Sequence, residues 1–599
     1  MTNTESSTTK LESSDCNTTT SVDTPITTKT NRYEIGSTEY RTILWRLELL
    51  QTGLSKINLQ VFKHLSELGC CTRCCFRFLN QRDLSAYQES SLHLSHLLPF
   101  LLFNDKQKQQ KLEKERQEKE KQESSTETQQ EQSSTKENND NKEESNDKPK
   151  VILATTDTTP VEKYDPNTFV EQEPFVCISC LGMLQNTNEP EFLEEFLGKM
   201  KNCGYQFVDY SLALSLPTSA AVREYSIWYH LKQTYPDLFK GASPIGNVVD
   251  IKEGIKWVLG PIIGRKLNFF FKHSSDFRAN MILLHEETKD EHTFLIPPTN
   301  AYNNKSTKRT KVASKDSTAS VNEMLSNMTM KRFIERGVVP PTKVTTKYHY
   351  TLDFDHAAVY LAGKYNKYVR DLSQTPWIDP EEYQSSIQEL VCEHINDTFK
   401  CDSFTFTTSG REDIDVRMLG KGRPFFIEIM NPHKIFFKYN DFRSMEDKIN
   451  SNTDKIKVSN LQIITKKQTN LIKDAEGSKQ KDYRCVVWTS KPFQLSDLEV
   501  LKSLTNFELD QNTPVRVLHR RTLMVRKKKI TRLEFQYISP HFFVLDVIGA
   551  QAGTYIKEFV HGDLGRTTPN IGSLLNCEAD ILQLDVMDVD LDFPPKQNQ

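Results

Sequence analysis

The chain has 599 residues, too many for one compact core, so two or more domains are expected. Its net charge of −3 and isoelectric point of about 6.6 argue, as an average, against a nucleic-acid binder, but acidic and basic residues are unevenly spread. No run approaches roughly 18 apolar residues, which excludes a membrane-spanning helix, and MTNTESSTTKLESSD lacks the apolar core of a signal peptide, so a soluble intracellular protein is expected.

Residues 1–35 are Ser/Thr-rich and read as a disordered tail. A first domain is expected over 36–298. Leu44, Leu47, Leu49 and Leu50 suggest a helix ahead of the cluster Cys70-Cys71-Thr72-Arg73-Cys74-Cys75. Residues 106–150 have almost no apolar side chains and no face to bury. They are expected to form a disordered insertion, its charged first half at most transiently helical. Phe175 to Cys180 is an apolar strand or turn carrying a second Cys-x-x-Cys. Ser211 to Leu231 reads as a strand, a break at Pro217, and a helix with Val222, Tyr225, Trp228 and Tyr229 on one side.

Residues 299–328 are polar and basic, and are expected to link this domain to a second one over 329–599. There Tyr348, Tyr350, Leu352 and Phe354 alternate with polar residues, as in a half-buried strand. Ile387, Leu390, Val391, His394 and Ile395 recur at helical spacing, and a polar insertion is expected over 440–481. Tyr483, Val486 and Val487 read as a strand, Phe542 to Ile548 as another, Thr554 to about Gly562 as a helix, and Ile581 to Val586 as a strand closing the sheet. Interleaved strands and helices give an α+β class: a mixed α/β C-terminal domain with an α/β accessory domain before it.

Two constellations carry chemistry. Cys71-x-x-Cys74 and Cys177-x-x-Cys180 are knuckles able to close a tetrahedral four-thiolate zinc site, although their separation far exceeds that of a local zinc ribbon. Either Cys70 or Cys75 can replace a neighbour as ligand, and buried or redox-active thiols are the alternative reading. Four thiolates leave no open position for a catalytic water, so the role is structural. His285 and His292 read as ordinary polar residues.

The second is Ser409 to Phe425, SGREDIDVRMLGKGRPF, a polar loop and short strand flanked by β-prone runs, with Gly410, Gly420 and Gly422 inside it. Arg411, Glu412, Asp413, Asp415, Arg417, Lys421 and Arg423 crowd together there. They read either as a solvated ion-pair loop or as a carboxylate kept ionised beside guanidinium groups at a strand end.

Gly410-Arg411-Glu412-Asp413 resembles the G-R-x-D motif of pseudouridine synthases, and the longer string through Asp415, Val416, Arg417, Leu419, Gly420, Arg423, Pro424 and Phe425 resembles the tRNA pseudouridine-54/55 synthases. The resemblance makes Asp413 the catalytic residue, ahead of Glu412 and Asp415, with Arg411 beside the extruded base or its phosphate. Lys481-Asp482-Tyr483-Arg484 resembles the strand whose tyrosine stacks on the target uracil; by pattern alone Tyr483 is a core residue. Gly553-Thr554-Tyr555-Ile556-Lys557 resembles the G-T-Y-I-[RK] motif, implying that Lys557 pairs with Asp413 and that Tyr555 lines the site. Gly363 to Trp377 mixes bases with aromatics and resembles the family's forefinger loop, with Arg370, Gln374 and Trp377 as candidate contacts. Arg516 to Lys529 looks like its thumb loop, with Arg516, Arg520 and Arg521 as candidates; for Arg526 to Lys529 a nuclear-localisation patch is the rival reading. His561 to Asn570 is expected to complete the cleft.

The resemblance implies isomerisation of uridine to pseudouridine in the TΨC arm of tRNA, position 55 and/or 54, and a paired-knuckle zinc site formed by Cys71, Cys74, Cys177 and Cys180. It implies no organic cofactor, and Ser211 to Leu231 fits a THUMP-like RNA-binding module. tRNA is the expected partner, other structured RNAs are possible ones, and a monomer in nucleus and cytoplasm is expected. Two other classes compete. One is an RNA-binding or RNA-processing factor without catalysis, disfavoured by the complete Asp413, Tyr483 and Lys557 set. The other is a THUMP-type methyltransferase, disfavoured because no glycine-rich turn follows a strand.

Overall fold

The computed structural model describes residues 33–54, 56–132, 163–168, 175–296, 317–377, 385–475 and 479–596. Most of the expected tail, residues 133–150 of the first insertion and 299–316 of the linker lie outside them. The chain forms two compact units, each from three segments: 1–185, 227–249 and 338–345 in one, and 186–226, 250–337 and 346–599 in the other.

The first unit is largely helical. Helix Thr38–Gly53 buries Ile43, Leu47 and Leu50, whereas Leu49 faces solvent. Helix Ser91–Gln132 begins by burying Leu94, Leu97, Phe100 and Leu101. It then continues as a solvated rod, exposed from Lys108 to Glu120. Disorder from residue 106 is therefore corrected as far as Gln132. Good helix formers and the pairs Lys111–Glu115 and Arg116–Glu120, each one turn apart, propagate a helix with no face to bury.

Among the described residues the second unit contains two sheets. The smaller has β1 (Asp209–Ser215), β2 (Phe270–Phe271), β3 (Phe277–Leu284) and β4 (His349–His356) in the order β2-β1-β3-β4. β1 is parallel to β2 and β3, and β4 runs antiparallel along the whole of β3. After β1 the chain breaks at Pro217 and enters helix Thr218–Thr234, as the pattern predicts.

The larger sheet holds ten strands: β5 (Val359–Lys367), β6 (Ser403–Thr408), β7 (Arg417–Met430), β8 (Ile456–Ile464), β9 (Gln480–Thr489), β10 (Thr505–Asn512), β11 (Val525–Ser539), β12 (Phe542–Gln551), β13 (Thr567–Thr568) and β14 (Ala579–Val589). The order is β13-β10-β11-β12-β9-β14-β7-β5-β8, with β6 also paired to β7. Helices Ile387–Cys392, Ile395–Phe399 and Tyr439–Asn452 share one core with these strands.

Three expectations are corrected in this unit. Residues 440–481 are not an insertion: Phe442, Met445 and Ile449 are buried on a helix, and Ile456 and Val458 on β8, which pairs with β5. Their charged neighbours face outward and mask the pattern. The end of the expected linker is helix Thr318–Ser326, burying Val321 and Leu325. Finally, β14 does not close the sheet but lies inside it, between β9 and β7. Where β7 meets β14, Gly420 has φ +58° and a Cβ there would lie 1.8 Å from the Met587 carbonyl oxygen, so only glycine fits.

Candidate functional site

The turn between β6 and β7 is built on a buried ion pair. Glu412 points inward, where the Arg423 guanidinium of β7 donates to its Oε2 at 2.7 Å, and both side chains are 1% exposed. Tyr365 on β5 donates to the other Glu412 oxygen at 2.9 Å, and Gln374 donates to the Tyr365 hydroxyl at 2.8 Å and to the Gly410 carbonyl at 3.1 Å. Arg423 also donates to the Ser409 carbonyl at 3.0 Å. Every strong partner of the buried carboxylate is thus a hydrogen-bond donor, the condition under which a buried charge is tolerated. Burial alone would lower the pKa of Arg423, but Glu412 more than offsets it and holds the pKa above its ordinary value.

With Glu412 turned in, Asp413 turns out. Its carboxylate is half exposed, with Lys557 Nζ at 3.4 Å and Arg516 Nη1 at 3.7 Å. Lys557 lies on the short helix Ile556–His561 and is nearer to Asp415, at 2.9 Å. Burial raises the pKa of Asp415, but the Lys557 ammonium more than offsets this and leaves it below the usual carboxylate value. Arg516 is held from behind by Glu558, Nε to Oε1 at 2.7 Å, and its guanidinium lies 5.9 Å from the centre of the Tyr555 ring. The Tyr555 backbone is clamped in both directions by the buried Gln511 side chain, at 2.9 Å each way. Two cations thus face the half-exposed Asp413 carboxylate, and Lys557 is shared with the equally exposed Asp415.

The structure brings Asp413, Lys557, Arg516 and Tyr555 together. Tyr483, on β9, is half-buried against the core; burial pushes its hydroxyl pKa up to about 12, with Arg423 opposing. Arg411 is exposed beside Asp413. The forefinger reading changes for two residues. Gln374 is buried in the Glu412 network, and Arg370 donates to the Asp415 and Leu584 carbonyls and to Asp585, so both brace the turn from within. Trp377 is 46% exposed. The thumb segment is shorter than expected: Arg520 and Arg521 are exposed in a loop, but Arg526 to Lys529 lie on β11. Within that strand Lys527 pairs with Asp510, Lys529 pairs with Glu508, and Lys528 donates to the Ala552 carbonyl. Sequence reasoning names Glu412 and Arg423 but not as a pair, and gives Lys367 and Glu558, which lie inside the stretches it singles out, no role. Their only signal is that a charge stands where a core side chain belongs.

In the first unit Cys71, Cys74, Cys177 and Cys180 are all buried, with sulfurs within 4.8 Å of one another. The Cys71 and Cys180 sulfurs are 3.8 Å apart, the edge of a tetrahedron with metal–sulfur bonds of about 2.3 Å. The Cys71 N–H donates to Cys177 Sγ at 3.2 Å, the Leu184 N–H to Cys180 Sγ at 3.4 Å, and Arg77 to Cys74 Sγ at 3.6 Å. Such donors stabilise thiolates. Cys70 and Cys75, buried alongside, are not among these four mutually close sulfurs, although the Cys70 thiol hydrogen-bonds Cys177. The four cysteines are positioned to bind a metal ion.

Two family models match, one described as Pus10, C-terminal, over residues 360–590 and one as Eukaryotic Pus10, N-terminal, over 177–351. The human protein named tRNA pseudouridine synthase Pus10 is 36% identical over 552 residues, spanning 90% of this chain and 99% of the relative. The chain belongs to the Pus10 tRNA pseudouridine synthase family. The Pus10 of Mus musculus is 39% identical over 70% of this chain and 79% of its own. That of Pyrococcus furiosus is 37% identical over 39% and 57% respectively. A solved Cbf5-Nop10-Gar1 complex matches at 17% identity over 38% of this chain and 48% of that one, with a TM-score of 0.22, too slight a likeness to bear on the fold.

Proposed function

We propose that this Pus10-family chain isomerises uridine to pseudouridine in the TΨC arm of tRNA, at position 55 and/or 54, with Asp413 as the catalytic carboxylate. The observation that supports this most is that Asp413, half exposed on a turn locked from below, is the aspartate that faces both Lys557 and Arg516. The net reaction breaks the C1′–N1 bond and makes a C1′–C5 bond; C5 loses its proton and N1 gains one, so nothing is oxidised or reduced. A carboxylate there suits either attack on the base or assistance at C1′, and Lys557 and Arg516 stand within 3.7 Å of it to orient it. The target base must leave its stack to reach it. Tyr483 and Tyr555 supply ring faces for the base, and the exposed Arg520 and Arg521 supply charge for phosphates.

The metal of the first unit is read as structural zinc, because the donor set is all sulfur and leaves no open position. The four-stranded sheet with its helix is read as a THUMP-like RNA-binding module. Replacing Asp413 by Asn tests the assignment: turnover should vanish while tRNA affinity stays within a few fold, since the carboxylate makes bonds and does not grip. Near-normal pseudouridine formation by that variant would overturn it.

A further inference from the structure

Lys367 ends β5 and, although a lysine, is wholly buried. Its cross-strand neighbours, Met418 on β7 and Ile456 on β8, are apolar and buried too. A cation in such a place destabilises the fold unless something specific compensates it. The compensation comes from two backbone carbonyls of the turn: Nζ donates to the Ile414 oxygen at 2.7 Å and lies 3.4 Å from the Asp413 oxygen. These carbonyls are also where the turn closes, since the Val416 N–H donates to Asp413 O and the Asp371 N–H to Ile414 O, each at 3.0 Å. Glu412 is already fixed by Arg423 on one side of Asp413. On the other side, Lys367 is the side chain that fastens the peptide carrying the carboxylate.

Resting on the function proposed above, we infer that Lys367 is a positioning residue for the isomerisation: from inside the sheet its charged ammonium fixes the Asp413 peptide, and so aims the carboxylate, without touching RNA. The charged groups around it are Glu412 and Asp415 of the turn and Asp371 and Arg370 of the following loop. Burial lowers its pKa to about 8, the three carboxylates opposing and Arg370 adding to the fall. A residue serving only to pack would change the amount of folded protein but not the rate per folded molecule.

The test is single-turnover conversion of tRNA by the full chain at saturating enzyme, normalised to folded protein and set beside tRNA affinity. K367M should slow the step by about 100-fold, the order expected for a 1 Å misplacement of a reacting group, with affinity within about threefold. K367R, which keeps charge and donors, should recover most of the rate. A K367M rate within about threefold of the parent overturns the inference, as does an equal loss in K367R and K367M when both are folded. Should neither variant fold, the unmodified protein decides. Its rate should fall as pH rises from 7 to 8.5 through the ammonium's titration, about 8, and a flat or rising profile overturns the need for the charge. Failure of the functional reading looks different, because the unmodified protein then forms no pseudouridine in tRNA at all.

Discussion

Replacing Glu412 by Ala should be among the most damaging single changes in the second unit, and the structure sets its size. The substitution leaves the Arg423 guanidinium buried with no counter-charge, its side chain 1% exposed. Removing one partner of a buried pair costs roughly 3–5 kcal/mol. The Tyr365 hydroxyl also loses its acceptor, and an orphaned buried donor adds about 1–3 kcal/mol. Because the two losses share one network they are not fully additive, and about 4–6 kcal/mol is expected. Against a typical stability of about 5–15 kcal/mol, that takes a large part of the margin. The assay is urea unfolding of the full chain, followed by aromatic fluorescence. Glu412→Gln, which keeps an acceptor for Tyr365, should lose less, and Asp588→Asn, which breaks the pair with the largely exposed Lys421 and keeps an oxygen for the Val589 N–H, should move the midpoint little. A Glu412→Ala midpoint matching that of Asp588→Asn would refute the reasoning, since it would mean the buried pair contributes no more than a surface one.

Other outcomes follow from the same geometry. Purified protein should carry about one zinc per chain, and Cys71→Ser with Cys177→Ser should release it; stoichiometric metal in that double variant excludes the ligand set. Arg520→Ala with Arg521→Ala should weaken tRNA binding and flatten its salt dependence by about 0.7–0.9 log units for each phosphate that is no longer neutralised; an unchanged slope assigns these arginines no role in grip. Burial raises the pKa of Asp585, but its bonds from Arg417 and Arg370 win and hold it below the ordinary value. A depressed carboxylate stabilises the fold above its unfolded pKa of about 3.9 and loses that contribution as pH falls through the folded value. Asp585→Asn should therefore be less stable than the parent at pH 7, with the gap closing in acid; a gap independent of pH argues against the ion pair.

What the sequence reveals and what it conceals divide along physical lines. The alternation from Tyr348 to Asp355 and the break at Pro217 report local periodicity and backbone chemistry, and the structure has a strand and a strand–helix junction there. The four cysteines converge although the knuckles are about 100 residues apart, because thiolate chemistry is visible at any separation. Residues 440–481 pass for an insertion because Phe442, Met445 and Ile449 make a narrow stripe among many charges. The place of β14 between β9 and β7 is a long-range pairing that no local pattern encodes. Within the site, Asp413 and Lys557 are legible from motif and chemistry. The inward setting of Lys367, Arg423 and Glu412 is not, because a charged residue type in sequence defaults to the surface, and only the packed sheet shows that these three are inside.

The three-segment make-up of each unit has a consequence for biogenesis. The first unit cannot be completed from residues 1–185 alone, because Val176 bridges to Val344 and the unit also recruits 227–249 and 338–345. About 150 further residues must leave the ribosome before its last segment appears, a delay of roughly 8–30 seconds at 5–20 residues per second. Both cysteine knuckles are exposed to the cell well before that time. During that wait the early helices and both knuckles are on the chain without the segments that complete their unit, so the first unit is the one whose folding must lag behind its own synthesis.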